Sequence, residues 1–251
     1  MRIKAVTFDL WFTLIYSTKE LEEYYRKTRL DAIVKIFSRL NTNLSLIDAK
    51  NLILRANEEI KKRGKEVYST HPKERVKIMA ELLGLKRLDE DFLKWASRVF
   101  SDAGFDKPPY LNEEAIDTLN LVKSLGLKVG LITNVSRDEI AYKKLLRRLK
   151  ILNYFDSLSF SSEIGHAKPD KNIFKHALKN LKLKPSEAVH IGDLYEHDIL
   201  GAVNFGMRAI LYTGLFKERE EARNEKQGKD FKNFIIEVSD LRDVIKIISK
   251  L

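Results

Sequence analysis

The sequence predicts a doubly wound α/β protein, a parallel sheet covered by helices on both faces, interrupted early by an all-helical insertion. Three observations predict it. From residue 112 to the end, short apolar runs alternate with stretches of helical periodicity, the pattern of a buried parallel sheet. One further apolar run, at 2–9, stands far upstream of the others. Between them, residues 18–105 carry four helical patterns in succession and no convincing strand, which suggests a small bundle.

The elements follow in order. Residues 2–9 read as a buried strand through Ile3, Val6 and Phe8. The run ends at a single acidic residue, Asp9, and breaks into a turn with a hydroxyl at Thr13. A carboxylate at the end of a buried strand is costly unless something pairs with it or uses it. The first helix is expected at 18–40, where Ser17-Thr18-Lys19-Glu20 has capping-box spacing and Leu21, Tyr24, Tyr25, Leu30, Ile33, Val34 and Phe37 recur at helical intervals. The second runs from Ser45-Leu46-Ile47-Asp48 to Gly64, a residue suited to a left-handed cap. The third follows Thr70, has Pro72 in its first turn and ends near Gly84. The fourth spans 89–103.

Pro108-Pro109 marks a boundary, because adjacent prolines stop a helix and stiffen the connection. A helix at 112–125 ends at Gly126, and Lys128-Val129-Gly130-Leu131-Ile132-Thr133 is a strand. Ser136-Arg137-Asp138-Glu139 opens the next helix with a second capping box. A strand at 157–161 precedes a helix at 170–182, with Asp170 as its N-cap. A strand at 188–192, a helix at 196–205 and a strand at 207–212 complete the alternation. The dense charge of 215–230 predicts a solvated helix or loop, followed by a strand at 234–238 and a helix at 240–250.

Composition narrows the class. The 251 residues are 44% apolar, enough for a sizeable core, and no apolar run approaches a membrane span. Cysteine is absent, which excludes disulfides and thiolate metal sites. The net charge is +10, yet Lys, Arg and Glu are mixed, as in "KELEEYYRKTR" and "KEREEARNEKQ", and no nucleic-acid-binding motif is present. Nucleic acid and membrane are therefore not expected partners. A start without leader character and the lack of cysteine predict a cytoplasmic protein. High Lys and Glu content resembles that of heat-adapted proteins.

In open parallel sheets the ligand sits at the carboxyl ends of the strands. Four strand ends carry polar groups here: Asp9, Thr133, the Ser161-Ser162-Glu163 stretch leading to Lys168, and Asp193. This ordered series resembles the four motifs of the haloacid dehalogenase-like hydrolase superfamily: "FDLWFTL", "LITNVS", "SSEIGHAKPD" and "HIGDLYEHDILGA". The resemblance covers the whole chain. It implies a Rossmann-like core made of residues 1–15 and 108–251, and a helical cap domain at 16–107. Residues 14–18 and 104–110 are then the expected hinges, with closure excluding water from Asp9.

The chemistry expected of such a site is phosphoryl transfer. Asp9 can attack phosphorus and form an acyl phosphate, dividing one hard step into two. Repulsion between carboxylate and phosphate calls for a hard cation such as Mg²⁺ with oxygen ligands. Asp9 and Asp193 are the matching ligands, and the resemblance implies the main-chain carbonyl of Trp11 as a third. Asp198 sits where the family keeps a second acid, acting through water or by orienting Lys168. Lys168 supplies a fixed positive charge, Thr133 a hydroxyl, and the Asn134 N–H a further donor to phosphoryl oxygens. The expected substrate is a small phosphorylated metabolite, and the expected state a monomer or homodimer.

One position departs from the phosphatase pattern. The residue two after the nucleophile is Trp11, where phosphatases of the superfamily usually carry an Asp that protonates the leaving oxygen. An aromatic there is similar to the 2-haloacid dehalogenases, which form an ester on the Asp and release an unprotonated halide. The acidic fourth motif favours the metal-dependent phosphatase. The dehalogenase type and a catalytically weak phosphate-binding homologue are the alternatives. His166, His190 and His197 show no metal-ligand spacing and read as structural or exposed. Gly192 and Gly201 read as turn and packing glycines. Tyr24, Tyr25, Phe37 and Trp95 read as the core of the insertion.

Overall fold

A computed structural model describes residues 2–223 and 236–250. The chain opens with β1 (Ala5–Phe8) and β2 (Ile15–Tyr16), then runs through helices α1 (Lys19–Ser38), α2 (Leu46–Lys62), α3 (Pro72–Leu82) and α4 (Glu90–Asp102). β3 (Tyr110–Leu111) and α5 (Ala115–Ser124) lead into β4 (Lys128–Thr133), α6 (Glu139–Arg148), β5 (Ser157–Phe160), α7 (Ser161–Ile164) and α8 (Lys171–Leu181). After β6 (Ala188–Gly192) a wide π turn (Tyr195–Leu200) continues into α9 (Gly201–Asn204). β7 (Arg208–Tyr212), α10 (Phe216–Arg223), β8 (Ile236–Val238) and α11 (Val244–Ile248) complete the described chain.

Six strands form one parallel sheet in the order β5-β4-β1-β6-β7-β8. The sheet has a Rossmann-like arrangement, with β1 at its centre between β4 and β6. The chain moves outward on one side through β4 and β5, then returns to the other side of β1 at β6, so the order reverses beside Asp9. Alternate strand residues point to opposite faces. Val6, Phe8, Val129, Leu131, Val189 and Ile191 bury into one apolar layer, whereas Ala5, Ile132 and Ala188 bury into the other with Phe174 and Leu178 of α8. Each fully buried large side chain contributes about 1.5–3 kcal/mol. Helices α1–α4 carry a separate cluster of their own, around Ile33, Phe37, Ile60, Val76 and Phe100.

Several helix starts differ from expectation. α1 is capped by Thr18, whose hydroxyl accepts from the Leu21 N–H at 3.3 Å, while Ser17 donates to Glu22 at 2.6 Å. Glu20 therefore closes no box. At α6 the cap is Asp138, accepting from Ala141 at 2.8 Å, two residues beyond the expected Ser136. In both cases two nearby cap-competent residues compete, and the one whose side chain reaches the second or third N–H takes the position. Ser45 and Asp48 do form the expected box, and Asp170 caps α8. The antiparallel pair β2–β3, two residues per strand, was not anticipated; β2 lies within one stretch expected to be a hinge and β3 begins at the last residue of the other. The strand expected at 234–238 is described only over Ile236–Val238, and 224–235 lies outside the described residues.

Candidate active site

Three of the polar groups named at or beyond strand ends, Asp9, Lys168 and Asp193, come together, and Thr133 ends the neighbouring strand β4. Asp9 directly follows β1, and its N–H donates to the Ile191 carbonyl at 2.8 Å, which fixes it beside β6. Lys168 reaches it from the loop before α8: its Nζ lies 2.6 Å from Asp9 Oδ1 and 2.5 Å from Asp198 Oδ1. All three residues are buried. Asn134, just past β4, holds the Lys168 main chain with both ends of its amide. Its Nδ2 donates to the Lys168 carbonyl at 2.9 Å, and the Lys168 N–H donates to its Oδ1 at 2.7 Å. Ser161 and Ser162, after β5, brace the same loop: Ser161 Oγ accepts from the Val135 N–H at 2.8 Å, and Ser162 donates to the Arg137 carbonyl at 2.7 Å.

The two later acids differ in how they are satisfied. Both oxygens of Asp198 are occupied: Oδ1 by Lys168 and by His190 Nε2 at 3.1 Å, Oδ2 by the Leu194 N–H at 2.9 Å. A carboxylate only accepts, so His190 carries its proton on Nε2 and takes the Thr7 hydroxyl on Nδ1 at 2.9 Å. Burial lowers the His190 pKa, which keeps the ring neutral. Burial alone would raise Asp198, but Lys168 and His190 outweigh it and hold the carboxyl well below its usual range. Asp193 is different. Its Oδ2 accepts from Arg219 Nη1 at 2.7 Å, while its Oδ1 is buried with no partner among the described residues. Burial, opposed by Arg219 and reinforced by Asp9 and Asp198, pushes the Asp193 carboxyl up to about 7.

Gly192 makes this packing possible. A Cβ there would lie 2.3 Å from Asp198 Cγ, so the glycine is required by the close approach of Asp198 and is not merely a turn residue.

One carboxylate oxygen from each of Asp9, Asp193 and Asp198 lies within 4.8 Å of the others. A hard divalent cation fits this donor set, because the unpartnered Asp193 Oδ1 is an oxygen that burial leaves uncompensated. Both Asp198 oxygens already accept hydrogen bonds, an arrangement that suits an orienting role. Burial raises the Asp9 pKa against the pull of Lys168. Lys168 is raised despite its burial, because Asp198 and Asp9 favour the charged form. Thr133 Oγ1 and Thr13 Oγ1 are likewise buried with no hydrogen-bond partner among the described residues.

Trp11 sits in the turn after Asp9. The bridge that closes the turn uses the Phe12 N–H to the Ile15 carbonyl (2.6 Å) and the Ile15 N–H to the Leu10 carbonyl (2.9 Å), so the Trp11 carbonyl takes no part in it. Phe12 takes φ of +57° to make the turn. The Trp11 indole N–H donates to the Tyr142 hydroxyl at 3.2 Å, and its ring meets Tyr25 of α1 edge-on at 6.4 Å.

Two residues were missed by sequence reasoning. Arg219 lies on α10, within the charged run read as solvated. Leu215, Arg219 and Ala222 are buried at helical spacing, and that spacing was a usable signal. His190 was read as structural, and its contact with Asp198 places it against the site. Of the other histidines, His166 pairs with Asp170 at 2.7 Å.

Comparison with known proteins gives the family of the chain. A family model described as haloacid dehalogenase-like hydrolase matches residues 3–206. A glyceraldehyde 3-phosphate phosphatase of Methanopyrus kandleri is 32% identical over 99% of both chains. Another of that name, from Pyrococcus furiosus, is 30% identical over 98% of this chain and 94% of its own. Among solved structures, a 2-haloacid dehalogenase of Pseudomonas syringae superposes with a TM-score of 0.71 at 24% identity over 99% of both chains, a likeness of fold.

Proposed function

The chain belongs to the haloacid dehalogenase-like hydrolases, and from that premise we propose that it is a Mg²⁺-dependent phosphatase working through an aspartyl-phosphate at Asp9. It is a hydrolase that acts as a phosphatase on small phosphorylated metabolites, as its full-length relatives do by name. The observation that carries the finer reading is the buried, unpartnered Asp193 Oδ1 beside Asp9. Asp9, Asp193 and the Trp11 carbonyl would hold the cation. When bound, it supplies charge that offsets repulsion between the Asp9 carboxylate and the phosphoryl dianion.

The chain's own residues do the rest. Asp9 attacks phosphorus, the ester P–O bond breaks, and the acyl phosphate is then hydrolysed by water, regenerating the carboxylate. Lys168, fixed by Asp198 and by the Asn134 amide, holds a positive charge against the reacting group. The Thr133 hydroxyl donates to a phosphoryl oxygen. Helices at 16–107 act as a cap over Asp9. Trp11 cannot transfer a proton, and its N–H is bonded to Tyr142, so the leaving oxygen takes its proton from water. General acid catalysis is typically worth about 10²–10⁴-fold, so slow turnover of poor leaving groups is expected.

Lys168 and Arg219 already set two positive charges against the three acids. The unpartnered oxygen and the raised Asp193 remain the support for a metal. A screen of purified protein for phosphate and halide release, with Mg²⁺ and with EDTA, tests the reading. Phosphate release that stops in EDTA is expected; metal-independent halide release would establish the dehalogenase alternative.

A further inference from the structure

Three arginines gather where α1, the α2–α3 connection and the loop after β4 meet, and they differ in what satisfies them. Arg75 donates to the Thr70 carbonyl at 3.2 Å, to the Val67 carbonyl and to Asn57 Oδ1 at 3.3 Å. Arg137 donates to the carbonyls of Ser101, at 2.7 Å, and Ala103. Arg29, on α1, makes no hydrogen bond or ion pair among the described residues. Its Nε is buried without a partner, and its guanidinium carbon lies 4.3 Å over the Phe100 ring. The residue as a whole is half-buried, and Nε, unlike the two Nη nitrogens, is among the buried atoms left without a partner.

The surroundings of Arg29 do not compensate it. The groups that act on it most strongly are Arg137, Arg75, Tyr142 and Tyr68, with no carboxylate among them. Burial, then the two like charges, disfavour its charged form. A guanidinium nevertheless stays protonated in proteins, so the cost persists until an anion arrives.

Its position points to the site. Tyr25 lies one helical turn earlier on the same face of α1 and meets the Trp11 ring. Arg137 lies 5.7 Å over the same Tyr25 ring and donates to the carbonyl of Ser101, next to the Phe100 on which Arg29 packs. Arg29 thus borders the space on the α1 side of residue 11, two residues from Asp9.

We propose that Arg29 is a specificity-determining residue that binds a second anionic group, a carboxylate or a second phosphate, on the phosphorylated substrate. The inference rests on the phosphatase reading of Asp9. A planar fork with five donors matches either oxyanion bidentately. A substrate with a neutral distal end leaves the guanidinium unpaired, and a site built for a charged group rejects such a substrate for that reason. Glyceraldehyde 3-phosphate has only its phosphoryl charge, so a substrate with two anions is preferred to it here.

Matched pairs of esters test this. 2-Phosphoglycolate is compared with ethyl phosphate, and 1,3-propanediol bisphosphate with propyl phosphate, in wild type, Arg29→Gln and Arg29→Lys. Wild type is expected to favour the doubly anionic member of one pair by about tenfold or more in kcat/KM, and the favoured pair identifies the group. In Arg29→Gln that preference disappears, mainly through KM, and Arg29→Lys recovers part of it. Equal kcat/KM within both pairs for wild type, or a loss in Arg29→Gln shared by both members, overturns the assignment. If wild type hydrolyses none of the esters, the phosphatase reading fails separately. Calorimetric binding of the same four esters then decides for Arg29: a loss confined to a doubly anionic ester supports it, and unchanged binding in Arg29→Gln overturns it.

Discussion

Gly192→Ala is a small change with a large expected effect. The added Cβ would lie 2.3 Å from Asp198 Cγ and 2.6 Å from both Asp198 Cβ and Oδ2. Carbon contacts are comfortable only near 3.5–4.0 Å, so Asp198 must retreat by about 1 Å or more. It has nowhere to go, because Lys168, His190 and the Leu194 N–H hold both of its oxygens. Retreat breaks a buried ion pair and leaves Lys168 with Asp9 alone, a defect worth about 3–5 kcal/mol. For a chain of this size that is a fall in Tm of about 6–20 °C. Gly126→Ala is the control: nothing lies within 4 Å of its Cβ position, and it has only its positive φ of +71° to overcome, about 1–2 kcal/mol. Thermal unfolding and phosphate-release kinetics of both variants measure the difference. A Gly192→Ala protein that melts no lower than Gly126→Ala and keeps wild-type kcat/KM would refute the locked position of Asp198.

Three further outcomes follow from the same contacts. Mg²⁺ should raise the Tm of wild type and EDTA should reverse it, whereas Asp193→Asn should abolish the shift; calorimetry with Mg²⁺ in the absence of substrate checks this independently of activity. Lys168→Met should leave Asp9 and Asp198 facing each other without their shared cation, destabilising the fold by about 3–5 kcal/mol and lowering kcat, as read by urea unfolding and single-turnover rates. Arg219→Gln removes the ion partner of a buried carboxylate and should destabilise the metal-free protein more than the Mg²⁺-loaded one, a difference visible in paired melting curves.

The central sheet was legible because buried parallel strands are written as short apolar runs. The strand at Lys128–Thr133 was expected with the bounds it has, and Asp9, Thr133, Lys168 and Asp193 were named from their places at or beyond strand ends. What escaped detection is tertiary. β2 and β3 have two residues each, too few to show a period, and only their pairing defines them. Arg219 meets Asp193 across 26 residues through a helix that reads as a charged surface. The isolation of Arg29 is a property of everything around it, and no local pattern records a missing partner. Asp198, expected to act through water or by orienting Lys168, already accepts from Lys168, His190 and the Leu194 N–H, which supports the second of these roles.

The central claim is that Asp9 carries the phosphoryl group. Mixing excess enzyme with substrate and Mg²⁺, quenching in acid within a turnover and mapping peptides by mass spectrometry tests it most directly. The account predicts a Mg²⁺-dependent phosphoryl adduct on Asp9 that forms and decays with turnover and is absent from Asp9→Asn. Phosphate release at the wild-type rate by Asp9→Asn, or an adduct on another residue, would contradict it.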